Sequence, residues 1–113
     1  VMSLFEERVK LHPDYPAVYL EDRVISFQTL NEQVNQLAWY LREQGVRQNS
    51  IVGIDIERSY TLLLVIFSIL KAGGAYLPID PSYPEARKQQ IVNDSGIRLL
   101  FINQEKYAIG QQW

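Results

Sequence analysis

Apolar residues recur at helical spacing from the start of the chain. In SLFEERVKLHP, Leu4, Phe5, Val9 and Leu11 fall on one side of a predicted helix. Ser3 stands where an N-cap belongs, Glu6 where a capping box needs its carboxylate, and His12-Pro13 ends the segment. AVYLEDRVISF then reads as two short strands around the polar turn Glu21-Asp22-Arg23, which predicts an antiparallel hairpin. The next apolar stripe is Phe27, Leu30, Val34, Leu37, Ala38 and Leu41, so FQTLNEQVNQLAWYLREQG predicts an amphipathic helix. Ser26 is placed to cap it, and Gly45 to take the left-handed turn that ends it. Trp39 lies off the stripe. Either it packs against a neighbouring element, or it contacts a part of the protein outside this chain.

Further along, SIVGIDIE, residues 50–57, reads as a strand. YTLLLVIFSILKAG is apolar nearly all round, and a helix of that kind needs covering on most sides. AYLPID predicts a short extended segment, PEARKQQIVNDSG a helix, and RLLFIN a strand with an unbroken apolar run. Strand, helix, strand, helix, strand at short spacing marks parallel βαβ units. Unbroken apolar strands agree, because parallel strands are usually covered on both faces. The fold class is therefore α/β: βαβ units with a mainly parallel sheet plus an N-terminal antiparallel hairpin. Asp55 interrupts an apolar strand. It marks either the strand end at which open α/β sheets bind ligands, or an edge or hydrogen-bonded position. The tail QEKYAIGQQW has no clear period.

Composition narrows the function classes. A length of 113 residues fits one modest domain, and a net charge of −2 gives no electrostatic reason to expect nucleic acid or an anionic membrane as partner. With no cysteine, disulfides, thiolate nucleophiles and Cys-type zinc sites are all excluded from this chain, and a cytoplasmic location fits. His12 is the sole histidine, so no His-rich metal site can be built here. The run Leu62 to Leu70 is far shorter than the roughly 20 residues that span a bilayer, and VMSLFEER lacks the features of a signal peptide. A start on Val1 fits a piece of something longer.

The passage LKAGGAYLPIDPSYP, Leu70 to Pro84, crowds two adjacent glycines and three prolines together. Neither G-x-x-x-x-G-K-[ST] nor G-x-G-x-x-G occurs in the chain. A phosphate loop precedes a helix, where free N–H groups and the positive dipole end meet the anion. Gly73-Gly74 follow a predicted helix, where the exposed groups are carbonyls and the dipole end is negative. They read as a helix C-cap, with Lys71 complementing the dipole by about 0.3–1 kcal/mol. Pro78 falls where the extended segment leaves the sheet and can spare a donor. Asp80-Pro81 predicts a turn, and SYPE a capping box in which Ser82 caps, Glu85 reaches back and Pro84 sits in the first turn.

These residues resemble the second core motif of the amino-acid adenylation domains of nonribosomal peptide synthetases, L-K-A-G-x-A-Y-[VL]-P-[IL]-D. Leu70, Lys71, Ala72, Gly73, Ala75, Tyr76, Leu77, Pro78, Ile79 and Asp80 match it, with Gly74 at the variable position. ISFQTLNEQVNQLAWYLREQGV resembles the first core motif through Ser26, Leu30, Asn31, Asn35, Leu37, Ala38 and Leu41. Phe27 departs from the usual tyrosine and Thr29 from the usual Glu, which leaves Ser26 to cap alone. The resemblance covers nearly the whole chain. It implies the N-terminal segment of the large subdomain, an incomplete part of a larger adenylation-domain fold. The expected division is helix and hairpin over 1–25, amphipathic helix over 26–49, βαβαβ over 50–103 and a tail over 104–113.

The resemblance further implies an ATP-dependent ligase. Such domains activate a carboxylic acid with Mg-ATP, form an aminoacyl-adenylate and pyrophosphate, and pass the acyl group to the phosphopantetheine thiol of a carrier domain. In the family the phosphate loop, the adenine and metal site, the amino-group Asp and the catalytic lysine all lie beyond the second motif. No catalytic, cofactor-binding or metal residue is therefore assigned to this chain, Lys71 included. The implied partners are the rest of the domain, condensation and carrier domains, and in some systems a small activator protein. The apolar helix and an open sheet edge predict that the chain sits against the rest of its domain or self-associates. The rival readings are an acyl-CoA or aryl-acid ligase of the same superfamily, a truncated non-catalytic interaction module, and a small flavodoxin-like binding protein.

Overall fold

Three parallel strands organise the C-terminal half of the described residues. A computed structural model describes residues 2–102. Among these, β3 (Ile51–Asp55) is the middle strand, with β4 (Ala75–Pro78) on one side and β5 (Leu100–Ile102) on the other. Ile51 lies opposite Ala75, and Gly53 opposite Leu100. The expected Asn103 of β5 and the tail 104–113 lie outside the described residues. Side chains alternate across β3. Val52, Ile54 and Ile56 enter a core with Ala38 and Leu41 of α2 (Phe27–Glu43) and Val65 and Ile69 of α3 (Tyr60–Lys71). On the opposite face Ile97 and Leu100 lie over Gly53, and Lys88 of α4 (Glu85–Ser95) meets Asp55.

A second core forms under the N-terminal elements. Phe5 of α1 (Met2–Leu11) packs its ring edge-on to Phe67 of α3 at 5.1 Å and joins Ile25, Leu30 and Val34. The hairpin of β1 (Pro16–Tyr19) and β2 (Val24–Ser26) closes this core, with an irregularity between Pro16 and Val18. Its turn is fixed by the Leu20 N–H donating to the Arg23 carbonyl at 2.8 Å. The structure thus has the expected parallel sheet and antiparallel hairpin, and α2 and α3 contribute to both cores.

Several local expectations are corrected. Ser3 does not cap α1, because the helix already includes Met2. Leu4 and Leu11 are exposed, since α1 reaches the second core through Phe5 with Val9 half-buried beside it. Glu6, expected to complete a capping box, instead accepts from Lys71 Nζ at 2.6 Å and ties α1 to the end of α3. Trp39 is 63% exposed. The capping box at Ser82 and Glu85 does not form: α4 starts from Pro84 without a side-chain cap. Both the N–H and the hydroxyl of Ser82 donate instead to Asp80 Oδ1, at 2.9 and 2.8 Å. The helix begins two residues later than the motif requires, so Ser82 lies ahead of the cap position.

Candidate functional site

The LKAGGAYLPID passage runs from the end of α3 into β4, and its geometry follows from the hydrogen bonds each backbone group makes. α3 leaves its last carbonyls without intrahelical partners. Gly73 N–H donates to Leu70 O at 3.1 Å and Gly74 N–H to Ile69 O at 3.0 Å. This is the Schellman arrangement, with Gly73 as its left-handed residue at φ +95°. The Lys71 carbonyl accepts from Arg42 Nη2 at 2.8 Å, and the Gly73 carbonyl from Asn49 N–H at 3.0 Å. Gly74 meets a different constraint: a Cβ there would lie 3.0 Å from the Ser50 carbonyl oxygen. That crowding lets Ala75 N–H reach the same oxygen at 2.7 Å and start the β4 ladder. Both amides of the glycine pair are therefore engaged by α3, and none is presented to an anion.

The other residues singled out divide between two places. Ser26, Phe27 and Leu30 sit at the start of α2. Ser26 Oγ accepts the Thr29 N–H at 3.1 Å and donates to Thr29 Oγ1 at 3.2 Å, so the threonine that replaces the usual Glu engages the cap through its hydroxyl. Leu30 is buried and Phe27 half-buried in the second core. Leu70, Lys71 and Ala72 close α3, while Ala75, Tyr76 and Pro78 form β4 and Asp80 starts the turn beyond it. The α2 start and the α3–β4 junction do not form one site.

At the carboxyl ends of β3 and β4 a cleft of about 680 Å³ opens on the α3 side of the sheet. Its apolar walls come from Ile54, Leu62, Ile66, Tyr76 and Pro78, and its rim from Glu57, Arg58 and Asp80. The Asp80 carboxyl is held below the usual carboxylate range, first by the Ser82 N–H, then by the Ser82 hydroxyl, with a smaller pull from the Lys88 charge against desolvation. On the other face, Lys88 Nζ stands 3.0 Å from Asp55 Oδ2, with only 8% and 6% of the two side chains exposed. Asp55 is thus an ion-paired residue at the end of the middle strand, not an edge position. Glu85 lies 3.9 Å from the same ammonium but is mostly solvated. Lys88 is the buried residue of α4, so a charge fastens that helix. Its pairing went unread in the sequence; an isolated Asp in an apolar strand beside a crossover helix carrying Lys was the signal available. Elsewhere, Tyr60 donates its hydroxyl to Gln33 Oε1, and burial raises its pKa against the opposing charge of Arg23.

Two helix N-termini among the described residues are already occupied, and no metal-ligand group is assembled there. The N-termini of α2 and α3 are each closed by a serine side chain accepting a backbone N–H, Ser26 and Ser59. No group of three or more His, Cys, Asp or Glu that could hold a metal ion occurs among the described residues. No described helix is long and apolar enough to cross a membrane.

Residues 5–112 match the AMP-binding enzyme family. The chain is 50% identical over 101 residues to bacitracin synthase 2 of Bacillus licheniformis, covering 89% of this chain and 4% of that protein. Among solved structures it resembles the nonribosomal peptide synthetase FmoA3 bound to α-methyl-L-serine-AMP, with a TM-score of 0.83 and 29% identity over 89% of this chain and 11% of the other. It also resembles the Klebsiella oxytoca NpsA N-terminal subdomain in complex with anthranilyl-AMSN, with a TM-score of 0.80 and 30% identity over 88% of this chain and 26% of the other. The chain spans a small part of each.

Proposed function

From the premise that the chain belongs to the AMP-binding enzyme family, we propose that it forms the N-terminal scaffold of an amino-acid-activating domain in nonribosomal peptide synthesis. The complete domain joins a carboxylic amino acid to ATP, releases pyrophosphate and holds the aminoacyl-adenylate until a carrier-domain phosphopantetheine thiol takes the acyl group. The observation that carries this reading is the match of 89% of this chain, at 50% identity, to part of a synthetase, bacitracin synthase 2. The aminoacyl-AMP bound by FmoA3 supports the same chemistry.

Within that domain the present residues hold and orient; they do not react. The cap on α3 turns the chain into β4 with both glycine amides bonded back to the helix, and the Asp55–Lys88 pair fixes α4 across the sheet. On this reading the ATP and Mg sites belong to other parts of the domain. The proposed segment is the start of the large subdomain, and the structural residues Ser26, Phe27, Leu30 and Leu70 to Asp80 are its signature. Condensation and carrier domains are the proposed neighbours, and the cytoplasm the proposed compartment.

A second reading has one observation in its favour: NpsA, at 30% identity, is bound to anthranilyl-AMSN, an aryl-acid analogue. Pyrophosphate exchange separates the two. The intact domain is assayed for ATP–pyrophosphate exchange with a panel of amino acids and aryl acids. Exchange that depends on an amino acid supports the proposal, and exchange with aryl acids alone replaces it by the second reading. The 113-residue chain by itself is expected to give none.

A further inference from the structure

The two faces of the parallel sheet are held by different forces. On the α2–α3 side, Val52 and Ile54 of the middle strand meet Leu41, Val65 and Ile69 in a closed apolar core. On the α4 side the same strand offers Gly53 and Asp55. α4 answers with little apolar surface. Ile91 and Val92 are only half-buried, while Glu85, Arg87, Gln89, Gln90, Asn93 and Asp94 are exposed. Its one buried residue is Lys88. A helix with so narrow an apolar face gains little from burial.

The ends of the segment are anchored independently of the helix. Before it, Ile79 is 3% exposed and its N–H donates to Ile54 O at 2.8 Å. After it, Ile97 lies against Gly53, and Gly53 N–H donates to Leu99 O at 3.0 Å. Between these anchors, Pro84 opens α4 without a side-chain cap, and Gly96 closes it at φ +71°. A Cβ added at Gly96 would meet nothing within 4 Å, so that end has room to move.

We propose that residues 80–96 form a releasable strap: α4 lifts from the sheet as a unit while both apolar cores stay closed, and the Asp55–Lys88 pair is its latch. A buried ion pair suits that task. Both charges lose water on closing and regain it on opening, so desolvation offsets much of their attraction. Apolar residues of similar size carry no such penalty and would hold the helix more tightly. The two partners are not equivalent. Lys88 has a flexible stem and a second carboxylate, the mostly solvated Glu85, 3.9 Å away, and its charge also reaches the Asp80 carboxylate. Asp55 is fixed on the middle strand with 6% of its side chain exposed. Loss of Lys88 therefore strands a buried charge more completely than loss of Asp55. The strap is a property of this segment and holds whichever acid the domain activates.

The test is native hydrogen exchange on the intact domain. In the parent protein, amides of residues 89–95 in α4 should be at least about tenfold less protected than those of residues 34–41 in α2, because the first set opens with the strap and the second only with the core. Equal protection would show that α4 opens only with the whole fold, and would overturn the proposal. Three variants then read the latch. Lys88→Met should lower α4 protection further, by about tenfold or more, and Asp55→Leu by less. Asp55→Leu combined with Lys88→Met should raise it at least about threefold above the parent. A folded double variant whose α4 is no better protected than the parent's would overturn the latch. Circular dichroism identifies any variant that does not fold, and the comparison of α4 with α2 in the parent then decides alone.

Discussion

Replacing Gly73 by alanine asks whether the glycine pair serves the backbone or a ligand. Gly73 sits at φ +95°, a conformation that costs an L-residue about 1–2 kcal/mol. A Cβ there would approach Gln48 Oε1 at 3.3 Å, the far end of a flexible side chain that can give way. Alanine also stiffens the unfolded chain, which offsets about 0.4–1 kcal/mol of that cost. The net expectation for Gly73→Ala is a loss of about 1 kcal/mol. Gly45 is an internal control, because it ends α2 at φ +100° and a Cβ added there would meet nothing within 4 Å. Gly45→Ala should therefore cost about the same, within a few tenths of a kcal/mol. The assay is urea unfolding of the intact domain, followed by tryptophan fluorescence, beside the ATP dependence of pyrophosphate exchange. Both variants should lower the unfolding midpoint and leave the KM for ATP within about twofold of the parent. A roughly tenfold rise in that KM for Gly73→Ala, without loss of stability, would refute the assignment of the pair as a helix cap.

Other expectations follow from the same structure. Lys88→Met removes one partner of a buried ion pair and should cost about 3–5 kcal/mol, with α4 amides losing hydrogen-exchange protection before those of α2; a loss under about 1 kcal/mol would show that the pair does not fasten α4. Ser26→Ala should cost about 0.5–2 kcal/mol, seen as a lower unfolding midpoint, and Ser26→Asp should recover most of it. The depressed Asp80 pKa fixes a sign: the carboxylate's contribution is present above its ordinary value of 3.8 and is lost as pH falls through the lower folded value. The Ser82 amide resonance should therefore titrate in that acidic window, and an unchanged resonance down to full protonation would contradict the Asp80–Ser82 turn.

What the sequence disclosed, and what it hid, divides by range. The stripe from Phe27 to Leu41 gave α2 because a 3.6-residue period is local information, and Gly45 and Gly73 disclosed the helix ends because few residues tolerate positive φ. The parallel sheet was legible from apolar runs separated by helical ones. Asp55 and Lys88 were each visible, but their meeting depends on α4 crossing the sheet, which no local pattern states. The false capping box at Ser82 shows the opposite failure. The motif was present, yet α4 starts at Glu85 with Pro84 at its cap, and Ser82 is drawn into the turn with Asp80 instead. Trp39 is a third case: the stripe placed it off the buried face correctly, and only the packed structure shows it exposed.

Trapping the product is the decisive measurement. The intact domain, incubated with Mg-ATP and a mixture of amino acids, should yield one aminoacyl-adenylate by mass spectrometry, with pyrophosphate released in equal amount. Formation of only an aryl or fatty acyl-adenylate, or of no adenylate from a folded domain, would contradict the proposed function.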